Sequence, residues 1–242
     1  YSTAYENIFA EIAGNPKNVF ATEELLEKIC DVWDIPVEVQ FARGLRDKKL
    51  FRDDKNLWDY SSCKRTPLVL HPWIVDYFFG ELSLPESLIG KADLKSSFQK
   101  TEWIGYTDVY EQIHTLVRKN TPINIVITGK DGCGKHSLIE NIYGETERKL
   151  LTFSWEAYEN NNDRQTFLQD AESFVEMVGA DVCIFDYTAK QTEELTQERM
   201  PSDFSGFVKS LNEHKHILIM TMEEKNRSVR NDIGNVVMVR ME

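Results

Sequence analysis

The sequence predicts an α/β protein whose second half is a parallel sheet covered by helices on both faces, preceded by a mainly helical first part. Three observations predict it. Five short apolar runs, at 123–128, 150–153, 182–185, 217–220 and 236–239, read as strands buried on both faces. Segments of helical spacing separate these runs, the alternation that joins parallel strands by crossovers. The first run leads directly into a glycine-rich segment, Gly129-Lys130-Asp131-Gly132-Cys133-Gly134-Lys135, with a helical pattern behind it.

The first part is read as a domain over 1–96. Thr22 precedes Glu23 and Glu24, and Leu25, Leu26, Ile29, Cys30 and Trp33 recur at helical spacing, an N-capped amphipathic helix that Ile35-Pro36 ends. Val37, Phe41 and Leu45 mark a second helix, ending near Phe51. Leu57-Trp58, a polar turn and Leu68-Val69-Leu70 read as a short hairpin over 57–70. Pro72 opens a last helix through Trp73, Ile74, Tyr77 and Phe78, and Gly80 stops it. Helices followed by a hairpin suggest a winged-helix-like module.

The second domain, 97–242, begins with an amphipathic helix through Tyr110, Ile113, Leu116 and Val117. After the first strand and the glycine loop, Leu138, Ile139 and Ile142 continue a helix. Further helices are read at 167–178 and 204–211 between the remaining strands. Five parallel strands are therefore expected, with the strand before Gly129 near the centre.

Composition bounds the function. The chain has 242 residues, 41% hydrophobic and 28% charged, enough for a sizeable core in one large or two modest domains. No apolar run approaches the ~18 residues of a membrane span. No signal peptide opens the chain, which begins at Tyr1 rather than Met, so it reads as a trimmed piece. A net charge of −12 argues against whole-surface attraction to nucleic acid or anionic lipid. Cys30, Cys63, Cys133 and Cys183 form no C-x-x-C pair and read as reduced thiols of a cytoplasmic protein.

The glycine loop carries the chemistry. A triphosphate needs many convergent donors, and consecutive backbone N–H groups in a glycine turn supply them, reinforced by the positive end of the following helix. Gly129, Gly132 and Gly134 permit the backbone angles, with Asp131 and Cys133 between them, and Lys135 brings a charge to the β- and γ-phosphates. This is the G-x-x-x-x-G-K core of a P-loop, strand before and helix after. A glycine-rich turn with a solvated lysine is the other reading. The motif then asks for Ser or Thr, whose hydroxyl binds magnesium, but the residue is His136, with Ser137 one place later and rotated ~100° around the helix.

Asp186, after the apolar run 182–185, fits the acidic strand end that holds magnesium; a strand-end aspartate capping a turn is the alternative. Tyr187 and Thr188 stand where a carboxylate base often follows, and Glu193 and Glu194 lie in a polar loop beyond. Thr221, at the tip of the strand 217–220, is placed to orient water. Arg227 and Arg230 follow, as candidate arginine fingers toward a neighbouring subunit or as solvated surface residues.

The order Gly129 to Lys135, Asp186, Thr221, then basic residues before a last strand resembles the AAA+ ATPases. The stretch Asp170-Ala171-Glu172, Gly179-Ala180-Asp181-Val182 and Asp186 looks like that family's second helix leading into its acidic strand. Pro67-Leu68-Val69-Leu70-His71-Pro72-Trp73 with Phe78-Phe79-Gly80 resembles the N-terminal region of bacterial AAA-family ATPases with a helical, winged-helix-like first domain, some of which accompany contractile injection systems. The resemblance implies the large AAA+ subdomain, ATP or ADP with magnesium as ligands, and a homo-oligomer or a protein partner. It implies Ser137 and Asp186 for the metal, Asp186, Thr221 and Arg230 for catalysis, and Gly129, Asp131, Gly132, Cys133, Gly134, Lys135, His136 and Ser137 for the nucleotide. The sequence departs from the family at His136, at Tyr187 and in lacking an asparagine near Thr221. The chain ends just after the fifth strand, before the family's helical lid, and residues 154–163 hold Trp155 and Tyr158 but no aromatic–apolar–glycine pore loop.

Two functions follow: an ATP-powered remodelling or assembly ATPase acting as an oligomer, or a nucleotide-binding, poorly hydrolysing scaffold or regulator. A third class is a winged-helix nucleic-acid binder with a P-loop switch. Residues 43–65 hold eight basic against four acidic residues, a local patch on an acidic chain, and nucleic acid is not favoured.

Overall fold

The computed structural model of the chain describes residues 70–98, 105–119, 122–146, 148–188, 200–223 and 233–241, with Glu11 and Thr22. It divides into two units, one ending at Ser83 and one beginning at Leu84. This division falls ahead of the expected 96/97, because residues 92–95 are hydrogen-bonded into the sheet of the second unit.

The described part of the first unit is helix α1 (Pro72–Phe78), with Pro72 in its first turn and Trp73 and Ile74 buried. Gly80 follows at φ +84, a left-handed conformation that glycine takes without steric cost and that ends the helix as expected. The two expected helices before residue 52 and the hairpin at 57–70 lie outside the described residues, apart from Thr22 and Leu70. The winged-helix-like arrangement therefore falls outside them too.

The second unit is built on a six-stranded sheet. Its strands are β1 (Ala92–Lys95), β2 (Asn124–Gly129), β3 (Lys149–Ser154), β4 (Ala180–Tyr187), β5 (Leu218–Met222) and β6 (Val236–Met241). The spatial order is β1-β3-β4-β5-β2-β6. The five expected strands are all present and mutually parallel. Two details correct the expectation. An additional strand, β1, runs antiparallel along β3, with Ala92 opposite Phe153 and Lys95 opposite Leu150. Its sequence, Ala-Asp-Leu-Lys, alternates and has one face for the core, so it lacks the continuous apolar run of an inner strand. The strand before Gly129, β2, lies second from one edge rather than near the centre, between β5 and β6. An apolar run marks burial on both faces and does not rank strands by distance from the edge.

Helices α2 (Thr107–Arg118) and α3 (Lys135–Thr146) cover one face. Ile113 and Val117 of α2 and Leu138, Ile139, Ile142 and Tyr143 of α3 pack there on Ile125, Ile127, Cys183 and Ile219. The short helix α4 (Trp155–Glu159), with α5 (Arg164–Val178) and α6 (Ser202–Glu213), covers the other. Asp163 caps α5 by accepting from Thr166 N–H at 2.9 Å, and Gly179 at φ +66 closes it before β4. Phe167, Phe174 and Phe204 are wholly buried on that side, each stabilising by about 2–3 kcal/mol.

The strand order positions the site. The chain leaves β2 through α3 toward β3 on one side, and later lays β6 along the other side of β2. In an open parallel sheet such a reversal leaves a crevice at the carboxyl ends of the strands.

Candidate nucleotide-binding site

The glycine loop connects the carboxyl end of β2 to the amino end of α3. Gly129 is buried against β6, and a Cβ there would stand 2.8 Å from Met241 O and 2.8 Å from Cys133 Sγ. Only glycine lets the loop begin so close to another strand. Gly132 and Gly134 take left-handed φ values of +74 and +93. Asp131 Oδ1 accepts from Gly132 N–H at 2.9 Å, and Cys133 N–H donates to Lys130 O at 3.3 Å, which tightens the turn.

Lys135 opens α3 and is 7% exposed. Its Nζ donates to Gly129 O and to Lys130 O, each at 2.9 Å, and so ties the two ends of the loop together. Leu138 N–H bonds Gly134 O at 2.9 Å. The N–H groups ahead of Leu138 have no carbonyl four residues back within the helix, and they stand at its positive end. A buried ammonium, left-handed glycines and a helix amino terminus therefore converge on one small volume, an arrangement suited to phosphate oxygens.

The end of β4 forms the second side. The pairing of β4 with β5 shifts register between Ile184 and Tyr187. Within that irregularity Asp186 adopts φ +57, a left-handed conformation that costs a non-glycine residue energy, and its carboxylate is exposed. Asp186 N–H donates to Thr221 Oγ1 at 3.0 Å. Thr221 is wholly buried on β5, opposite Ile127 of β2, so its hydroxyl holds the Asp186 backbone at this point. Tyr187 turns inward, is 2% exposed, and packs its ring on Trp155 at 4.4 Å.

His136, in the first turn of α3, joins the two sides. Its ring lies over Phe185 with centroids 3.9 Å apart, and its Nε2 stands 3.8 Å from Asp186 Oδ1. Ser137 is exposed, and its main-chain oxygen accepts from Asn141 Nδ2 at 2.8 Å. The eight residues from the glycine loop and α3 named by the sequence thus lie along one continuous turn, and Asp186 is brought to them through His136. Arg227, Arg230, Glu193 and Glu194 lie outside the described residues.

Among the described residues no group of three or more His, Cys, Asp or Glu side chains could hold a metal ion. Magnesium would need a hard oxygen ligand immediately after the lysine. At that position an imidazole leans on Phe185 and reaches toward the Asp186 carboxylate. The residues present do not fit magnesium where the motif assigns it.

Two features escaped the sequence. The Phe185 ring is a platform for His136, and only its place on the α3 face of β4 hinted at this. Trp155 and Tyr158, the two aromatics of the stretch 154–163 in which the sequence shows no pore loop, are core residues of α4. Trp155 lies 4.8 Å from Tyr158 and 5.0 Å from Phe204, ring to ring, and Tyr158 OH donates to Asp203 at 2.8 Å.

No family model matches the chain, and no curated protein matches it. Among solved structures, a chain of the E. coli MS115-1 HORMA:CdnC:Trip13 complex is similar with a TM-score of 0.44 at 10% identity, over 64% of this chain and 72% of that one. PCH-2 of C. elegans is similar with a TM-score of 0.41 at 10% identity, over 57% of this chain and 43% of that one. Among the described residues no helix is long and apolar enough to cross a membrane.

Proposed function

We propose that the second unit binds an adenine nucleotide by its phosphates at the loop 129–135 and turns it over slowly. In this reading it is the nucleotide-binding module of an AAA+-like assembly or remodelling factor that works as an oligomer or on a protein partner. The observation that carries it is Lys135, buried at the amino end of α3 and bonded back to Gly129 O and Lys130 O at the start of a loop whose Gly132 and Gly134 take left-handed φ.

A second reading, a nucleotide-binding scaffold or regulator that does not hydrolyse, is favoured by one specific observation. Tyr187, in the position after Asp186, is packed into the core against Trp155. A carboxylate base there would contribute ~10²–10⁴-fold to turnover. Nucleic-acid binding gains no support, because the chain carries a net charge of −12 and the basic stretch 43–65 lies outside the described residues.

Calorimetric titration of the chain with ATP and ADP tests the proposal. Both nucleotides bind, and Lys135→Ala abolishes binding while circular dichroism stays unchanged. Turnover stays far below ~1 s⁻¹, the lower end of ordinary enzyme rates. Absence of binding in the folded wild type would overturn the nucleotide reading. Turnover near ~1 s⁻¹ that disappears in Asp186→Asn would overturn slow hydrolysis.

A further inference from the structure

His136 stands where a phosphate-loop motif places its magnesium ligand, and the structure shows what the substitution accomplishes. The ring is seated on Phe185 at 3.9 Å between centroids, so its direction is set by packing. That direction brings Nε2 to 3.8 Å from Asp186 Oδ1, the carboxylate that would otherwise face the metal. Asp186 is itself fixed, by its N–H on the buried Thr221 hydroxyl and by the bulged end of β4. An imidazole nitrogen is a poor ligand for magnesium, which takes hard oxygens in near-octahedral array and gives up its water reluctantly.

We infer that this site takes nucleotide free of magnesium, with His136 bridging the loop to Asp186 where the ion would otherwise connect them. The inference deepens the proposed nucleotide site and rests on it. The phosphates are then met by Lys135, by the backbone N–H groups of the loop and by the amino end of α3, none of which needs a metal. His136 is a specificity-determining residue: it decides which form of the nucleotide, metal-free or metal-bound, the loop accepts.

The test is binding of a fluorescent adenine nucleotide, by anisotropy, to the whole chain in excess EDTA and in excess magnesium. Wild type binds equally well in both, within about twofold, or better in EDTA. His136→Thr restores the hydroxyl that the motif supplies, and its binding improves by about tenfold or more when magnesium is added. Asp186→Asn introduced into the His136→Thr protein removes that improvement. Wild-type binding that needs magnesium as much as His136→Thr does would overturn the inference and leave the nucleotide reading standing. Absence of binding by wild type under both conditions would overturn both.

Discussion

The backbone N–H of Asp186 donates to the side-chain hydroxyl of Thr221 at 3.0 Å, across a bulge between β4 and β5. This one bond joins the exposed strand-end carboxylate to a wholly buried residue of the neighbouring strand. Thr221→Val keeps the shape and removes the acceptor, and it lowers stability by about 1–2 kcal/mol in urea unfolding. Asp186→Gly relieves the left-handed φ of +57 and raises stability by up to about 1 kcal/mol. Unchanged stability in Thr221→Val would show that the bond does not hold the strand end.

Gly129 is the point at which the loop leaves β2 beside Met241. Gly129→Ala places a methyl 2.8 Å from a main-chain oxygen of β6, which cannot swing aside as a side chain would. The expected cost is about 1–3 kcal/mol, seen as a lower thermal midpoint, with weaker nucleotide binding in proportion to the displaced loop. A variant with wild-type midpoint and wild-type binding would mean that the close approach is not needed.

Trp155 separates a structural from a substrate-gripping role for the aromatics of α4. Its ring contacts Tyr158, Tyr187 and Phe204 and is 2% exposed. Trp155→Ala therefore destabilises the second unit by about 3–5 kcal/mol in chemical denaturation. A change confined to partner handling, with stability intact, would contradict the core assignment.

His216 gives stability a pH dependence. Burial holds its folded-state pKa below the ordinary 6.5, against the opposing pull of the Asp181 charge. The unfolded chain therefore takes up the proton first as pH falls. The stabilisation is complete above about pH 6.5 and is lost as pH drops through the folded-state value. Urea unfolding at about pH 8 and about pH 5.5 shows the loss, and His216→Gln makes it smaller. An unaltered slope in the variant would assign the effect to other groups.

The strands and the loop were legible because their signals are local. An apolar run at 182–185 predicts a strand from its own residues, and the glycine spacing of Gly129 to Lys135 predicts a tight turn between strand and helix. Helix ends were legible for the same reason: Pro72 and Gly80 bracket α1. Strand β1 was missed because four alternating residues carry too little pattern to stand apart from a linker.

The sequence by itself determined the parallel α/β class, the five parallel strands and the glycine turn ending in Lys135, since hydrophobic period and backbone freedom are properties of neighbouring residues. Only the tertiary structure decided that β2 lies next to the edge, that Thr221 serves Asp186, and that His136 rests on Phe185 beside that carboxylate. Those relations join residues separated by tens of positions. They exist because helix packing and strand order set distances that no local pattern encodes.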